Sequence, residues 1–335
     1  MKYLITGITG FAGPHLARLL LYEGHDVYGL IRGSNGREQD LLDVLTSDEI
    51  LNIHFIYGDL LDRHRIEYII EQEQFDGVFH LAAQSHPPTS FIDPVGTFNT
   101  NVMGSINLIE SILAKSKNTK LMFCSTSEVY GNEGKDGRLI KEDERILPSN
   151  PYGNSKAAID LYMQERMLNA RLKGFITRAF SHTGPRRGNN FSISSDAYQL
   201  ARIWKYRLNP VLKVGNLNTT RVVMDVRDTV QAYYSLMIND KSNGQAFNVC
   251  GDTPHKMQYF TDELIKIYDS FDTNPEYGVI NQKITTEIEP KFWRKHDIYY
   301  QHGDTTKLKS ITNWKPIFEL SETLYDLFTY WIKKV

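Results

Sequence analysis

In the first half of the chain, apolar residues fall into short runs separated by stretches where they recur about every three to four positions. Tyr3-Leu4-Ile5, Val27 to Ile31, Ile53 to Tyr57 and Val78 to Leu81 are brief, rich in β-branched and aromatic residues, and bounded by polar or glycine positions. Each reads as a strand. Residues 13 to 23 and 63 to 73 carry helical spacing between them. The alternation continues through a helix near 96 to 115, a strand at 120 to 124, a helix opening at Asn150-Pro151 and a strand near 175 to 180. Such a rhythm predicts an α/β chain whose first half forms a doubly wound parallel sheet. Beyond about residue 181 the pattern changes to a Gly/Arg/Asn-rich loop at 184 to 191, shorter strands, and helices near 193 to 207, 226 to 238 and 256 to 270. This second part predicts a smaller α/β lobe, with the segment at about 222 to 250 crossing back to the sheet. The expected division is therefore 1 to 180 for the sheet domain and, in the main, 181 to 335 for the lobe. A polar loop at 131 to 144 is the only long irregular stretch, and no internal repeat is present.

Composition narrows the partners. With Lys+Arg 38 against Asp+Glu 40, the formal net charge is -2, and no long run of one sign offers a surface for nucleic acid or anionic lipid. Cys124 and Cys250 are far apart and lack paired spacing, which argues against a disulfide scaffold or a zinc site and fits a reducing compartment. Histidines 80, 86 and 182 have no carboxylates at close helical spacing, so no metal site is expected. The start is too short and polar for a signal peptide, and no stretch reaches the roughly 18 apolar residues of a membrane span. These readings predict a soluble cytoplasmic protein.

Candidate chemistry begins in LITGITGFAGPHL. Gly7, Gly10 and Gly13 follow the first strand directly and open its helix, where glycine lets backbone approach a pyrophosphate. A dinucleotide-binding (Rossmann) unit is the expectation. The second strand ends in Arg32, with Arg37 following and no acid before Glu38, which favours the 2′-phosphate of NADP over the bare ribose of NAD. Asp59, after the third strand, either reaches the adenine amino group or caps the next helix.

In CSTSEVYG, residues 124 to 131, an apolar run ends in three hydroxyls and Glu128. A Tyr with Lys four residues later occupies one helical face, where the ammonium can stabilise the phenolate and orient a ribose. This spacing occurs at Tyr152/Lys156 and again at Tyr330/Lys334, so spacing alone proves little. The first pair opens the helix that follows CSTSEVYG, and the second lies on what reads as a C-terminal surface helix.

Taken in order, TGITGFAG, HLAAQSH (80 to 86), NVMG (101 to 104), STSEVYG and YGNSK (152 to 156) resemble the extended short-chain dehydrogenases/reductases of the nucleotide-sugar epimerase/dehydratase kind. The resemblance covers nearly the whole chain. It implies that Thr126, Tyr152 and Lys156 are the hydroxyl, acid/base and cofactor-orienting residues. It also implies cofactor contacts from Thr9, Phe11, Ala12, Leu60, Leu81, Ala82 and Ala83 beside the glycines, Arg32 and Asp59.

The Glu two residues after Thr126 is similar to the 4,6-dehydratases, GDP-mannose 4,6-dehydratase in particular. Oxidation at C4 makes the C5 proton acidic, and Glu128 would remove it as water leaves C6. SHTGPRRGNNF (181 to 191) resembles the same subfamily and implies cofactor contacts from His182 and Arg187. Ser85, Ser127, Asn190, Arg221 and Arg294 would hold a GDP-sugar, whether hexose or heptose. Ser181-His182-Thr183-Gly184 and Arg221-Val222-Val223 depart from the dehydratase pattern, and His182-Thr183-Gly184 with DVRDTVQAY (225 to 233) looks more like the reductases that act on the dehydratase product. The alternatives are a 4-keto-sugar reductase or epimerase, and a non-catalytic NADP-sensing protein. A homodimer or homotetramer is implied, pairing through the helices near 96 to 115 and 151 to 171, with Ile159, Met163 and Met167 on that face.

Overall fold

Six strands, β1 (Lys2–Thr6), β2 (Asp26–Ile31), β3 (Ile53–Tyr57), β4 (Gly77–His80), β5 (Lys120–Thr126) and β6 (Gly174–Ala179), are joined by Gln245–Val249 in one parallel sheet. Their order is Gln245–Val249, β6, β5, β4, β1, β2, β3. The winding direction reverses between β1 and β4, which leaves a crevice at the carboxyl ends of those strands. The computed structural model describes residues 1–33, 37–272, 283–293 and 297–335.

The strands are apolar on both sides because both faces of the sheet are covered. Tyr3, Ile5, Phe79, Met122, Phe175 and Phe247 meet α1 (Ala12–Tyr22) and the helix Val226–Met237. Leu4, Val78, Leu121, Phe123 and Ile176 meet the helices Arg63–Glu73, Gly104–Lys115 and Pro151–Asn169. After β6 the chain leaves the sheet, builds part of the second lobe, and comes back through Val226–Met237 and Gln245–Val249. The doubly wound sheet is thus the one the alternation predicts.

The second lobe closes three amphipathic helices, Ser192–Tyr206, Met257–Asp272 and Leu320–Lys334, around Leu200, Phe260, Leu264, Leu327 and Phe328. They stand against the parallel pair Val211–Val214 and Thr285–Ile288. A small sheet of Thr220–Val222, Pro254–Lys256 and Tyr300–Gln301 lies beside them.

Two expectations are corrected. The helix near 96 to 115 is interrupted: Pro94–Phe98 passes through a π-turn at Asn99–Met103 before Gly104–Lys115 begins. There Asn101 is buried, and its amide donates to Ser155 Oγ at 2.9 Å and to the Gln84 carbonyl at 3.0 Å. A wide turn that re-aims a polar side chain is a usual reason for a π-insertion. Ile159, Met163 and Met167 do not form an outer face, because all three are buried in the core beneath the sheet. Leu161 and Leu168, at 53% and 80% exposure, are the apolar residues that Pro151–Asn169 presents to solvent.

Candidate active site

The crevice at the switch point opens into a cavity of about 1190 Å³ that runs from the glycine turn to the second lobe. Backbone geometry explains the glycines. Gly7 has φ +76, and a Cβ there would sit 2.8 Å from the Ala82 nitrogen; at Gly13 it would lie 2.4 Å from the Ile8 carbonyl oxygen. Neither position has room for a side chain, and together they leave a cradle of bare backbone at the start of α1. A Gly7→Ala variant is expected to lose about tenfold or more in NADPH affinity, read by fluorescence titration, because the turn must shift to relieve a clash with backbone. Unchanged affinity would show that the turn does not hold the pyrophosphate.

Arg186 supports this turn from the second lobe. Its guanidinium donates to the Thr9 carbonyl at 3.0 Å and to the Gly10 carbonyl. Two carbonyls of the turn are thereby engaged by a cation. Arg32, at the end of β2, is exposed beside the cavity, and Glu38 also borders it. The side chain of Arg37 lies outside the described residues. Asp59 borders the cavity and accepts from the Leu61 amide at 2.9 Å, while Asp62 caps Arg63–Glu73 by accepting from the Arg65 amide at 3.0 Å. The capping alternative for Asp59 is thus filled by its neighbour.

At the end of β5 the chain turns through Ser127–Tyr130, and Thr126 accepts from the Glu128 amide at 3.3 Å. Glu128 is half-buried in the cavity wall, and Asn150 Nδ2 donates to its Oε2 at 2.5 Å. The same Asn150 caps the helix Pro151–Asn169 through Oδ1, which accepts from the Gly153 amide at 2.7 Å. One side chain therefore sets both the start of the Tyr152 helix and the aim of Glu128. Sequence reasoning recognises Asn150 only as a cap; its position before Pro151-Tyr152 is the signal that it stands at the site.

Tyr152 and Lys156 are both buried and both line the cavity. Lys156 donates to the Cys124 carbonyl at 2.7 Å and lies 4.8 Å from the Phe123 ring centre. Burial pulls its pKa down, opposed by Cys124 and Asp160. Burial and the Cys124 thiol push the Tyr152 phenol above its usual range, with Thr126 and Arg187 acting in the lowering direction. Arg187 is held between Phe191, 3.5 Å from the ring centre, and Phe11, 4.8 Å away. Its burial lowers its pKa to about 10. His182 stacks on Phe11 at 5.7 Å and bonds the Phe180 carbonyl at 2.9 Å.

Three imidazoles are held in neutral form, His182 on the cavity wall and the buried His15 and His80 away from it. Burial, the largest cause in each case, takes His15 and His182 to about 4 and His80 to about 3. His80 bridges Thr6 Oγ1 at 2.7 Å and Ser105 Oγ at 2.8 Å, so it ties β4 to β1 and to the helix behind. In the unfolded chain these groups take protons below about pH 6.5, while the native state resists until about pH 4. Stability is then complete above pH 6.5 and falls as pH drops. Asp196, pushed up to about 7 by burial, works in the opposite direction. The expected net loss is roughly 2 to 4 kcal/mol between pH 7 and 5, visible as a falling Tm. A Tm flat over that interval would contradict it.

Every sequence-predicted site residue within the described regions borders the one cavity. Thr9, Phe11, Ala12, Leu60, Leu81, Ala82 and Ala83 line it together with Ser85, Ser127, Asn190 and Arg221. Arg221 pairs with Asp297 at 3.5 Å, and the Asn190 carbonyl meets His86 Nε2 at 3.2 Å. Arg294 lies outside the described residues. The second Tyr-Lys pair is elsewhere: Tyr330 donates to Asp43 at 3.1 Å and Lys334 pairs with the same carboxylate. Among the described residues no group of three His, Cys, Asp or Glu side chains is placed to hold a metal ion, and no helix is long and apolar enough to cross a membrane.

Among curated proteins, the chain is 26% identical to the GDP-6-deoxy-D-mannose reductase of Pseudomonas aeruginosa, over 100% of this chain and 98% of that one. It is 28% identical to the GDP-mannose 4,6 dehydratase of Homo sapiens, covering 97% and 89%, and 29% identical to that of Vibrio cholerae, covering 97% and 92%. Among solved structures, RMD from Pseudomonas aeruginosa complexed with NADPH superposes with a TM-score of 0.80 at 24% identity, covering 100% and 99%. The UDP-glucose 4-epimerase of Thermotoga maritima reaches 0.82 at 24%, with the same coverage. The family description GDP-mannose 4,6 dehydratase matches residues 4–327, and with the glycine cradle, Tyr152, Lys156 and Glu128 around one cavity, this chain belongs to that family.

Proposed function

We propose that the protein is an NADP-dependent GDP-sugar 4,6-dehydratase. It would convert GDP-mannose or a GDP-manno-heptose to the 4-keto-6-deoxy sugar nucleotide. One observation carries the reading: Glu128, held by Asn150, borders the same cavity as Tyr152 and Lys156. A reductase or epimerase needs the Tyr and Lys but has no proton for a glutamate to move.

The turn at Gly7, Gly10 and Gly13 fits a pyrophosphate, and the exposed guanidinium of Arg32 favours a 2′-phosphate. The chemistry supplied at that cradle is reversible hydride acceptance, from C4 of the sugar and back to C6. Lys156 orients the ribose. Tyr152 takes the C4 hydroxyl proton through Thr126, for which its phenol must ionise; the positive charges of Lys156 and Arg187 favour that form. With C4 a ketone, Glu128 removes the C5 proton and protonates the departing C6 hydroxyl. Arg221 and Arg294 grip the diphosphate with forked donors, and Ser85, Ser127 and Asn190 hold the sugar. In this reading residues 1 to 180, with about 222 to 250, form the cofactor unit, and the remainder of 181 to 335 the sugar-nucleotide lobe.

The assignment is tested by incubating the purified protein with GDP-mannose and with GDP-manno-heptose while following product mass and reduced-cofactor absorbance. Loss of one water with no net cofactor change supports it. Stoichiometric NADPH oxidation on a 4-keto sugar nucleotide makes the protein a reductase, the second reading, which its full-length similarity to the Pseudomonas aeruginosa reductase favours. We further propose a cytoplasmic homodimer or homotetramer. The exposed Leu161 and Leu168 on one helix and Val95 and Met103 on its neighbours support pairing through that side.

A further inference from the structure

The mechanism leaves one buried acid of the cavity wall unused. Asp196, on the helix Ser192–Tyr206, is 6% exposed and lines the cavity inside the second lobe. Its Oδ2 accepts from Thr261 Oγ1 at 2.8 Å. Among the described residues no cation faces it; burial raises its pKa, and the Thr261 bond is what opposes that rise. A carboxyl in such a place is costly to bury. Asparagine would meet Thr261 equally well, so the threonine does not account for an acid here.

The same cavity also carries apolar and aromatic surface. Val214 and Gly215 close one side, and a Cβ on Gly215 would stand 3.1 Å from the Phe292 carbonyl oxygen and 3.2 Å from its Cβ. Phe292 and Trp293 border the same cavity and are 42% and 50% exposed, leaving aromatic surface on which a base can stack. The glycine lets the end of Val211–Val214 lie directly against the Phe292 backbone and so fixes that aromatic wall.

We propose that Asp196 reads the nucleobase of the substrate, its carboxylate accepting the adjacent N1–H and N2–H donors of guanine. The assignment rests on the GDP-sugar reading above and adds the residue that selects the base. Each carboxylate oxygen accepts more than one bond, so Thr261 remains satisfied when guanine is present. Adenine offers an acceptor at N1, hypoxanthine lacks the 2-amino group, and uracil flanks its single N–H with carbonyl oxygens. All three leave Asp196 short of a donor.

The test is calorimetric titration of the full-length protein, with NADPH present, by GDP, IDP, ADP and UDP. The unmodified protein is expected to bind GDP about tenfold or more tightly than IDP, and ADP and UDP more weakly still. Asp196→Asn keeps a partner for Thr261 and removes the second anionic acceptor. It is expected to bring GDP and IDP within about threefold of each other with NADPH affinity unchanged. Asp196→Ser serves the same comparison should the Asn variant fail to fold. Equal GDP and IDP binding by the unmodified protein overturns the proposal without any variant, as does a GDP preference that survives substitution. Preference for UDP or ADP overturns the GDP-sugar reading along with it, whereas GDP preference that ignores Asp196 removes this assignment alone.

Discussion

Replacing Glu128 by Gln is expected to slow water elimination by about 10²- to 10⁴-fold, the usual contribution of a positioned general base. The substitution keeps the shape, and the Gln carbonyl can accept from Asn150 Nδ2 as the carboxylate does, so Asn150 Oδ1 stays on the Gly153 amide. It removes only the ability to accept a proton. Thr126, Tyr152 and Lys156 are untouched, so C4 oxidation should continue and transient NADPH absorbance should accumulate where the parent shows none. Exchange of the C5 hydrogen with deuterated solvent, visible as a one-mass-unit change in recovered substrate, should disappear. Undiminished product formation would sink the proposed role and, with it, the ground for preferring elimination over reduction.

Breaking the ion pair behind the site is expected to cost about 3 to 5 kcal/mol of stability. Arg178 on β6 grips Asp160 on the helix Pro151–Asn169 with two bonds, 2.9 Å and 2.8 Å, and both side chains are almost completely buried. Asp160 also accepts from Ser125 at 2.7 Å. Arg178 in turn reaches the Tyr130 hydroxyl at 2.9 Å and the Glu142 carbonyl at 2.7 Å. This network joins the helix that carries Tyr152 and Lys156, the end of β5 and the loop that follows it. Asp160→Ala strands a buried guanidinium without its anion, and the loss should appear in a denaturant titration as a lower midpoint at an unchanged slope. The double change Asp160→Leu with Arg178→Met removes both charges and should recover most of the loss. A single variant as stable as the parent would mean that water reaches Arg178 and that the pair is not closed.

The element order was legible from local pattern because both faces of the parallel sheet are buried. Such strands must be short continuous apolar runs, and their covering helices must show one apolar stripe. The strands at Ile53–Tyr57 and Lys120–Thr126 and the helix Arg63–Glu73 fall within a residue or two of where periodicity puts them. The glycine turn was equally readable, since its demand for bare backbone is local. Where local pattern failed, a distant partner had decided. Periodicity did not say which side of Pro151–Asn169 faces the sheet, because Ile159 and Leu161 are both apolar and only one is buried.

Nor did spacing separate two Tyr-Lys pairs. Tyr152 with Lys156 lies among Thr126, Cys124 and Arg187, while Tyr330 with Lys334 closes on Asp43, far away in sequence. Asn150 reads as a cap, and only the turn after β5 brings Glu128 to its free amide hydrogens. Arg186 reads as a loop cation until the second lobe folds over the first strand and lays it on the Thr9 carbonyl. Asp196 carries no motif at all; that no cation faces it among the described residues is a property of the lobe that encloses it. The sequence by itself determined the order of elements, the glycine cradle and the residue types able to move a proton. Tertiary structure decided which of those residues share a solvent-poor cavity and what holds each in place, because hydrogen bonds and desolvation act between groups that chain order keeps apart.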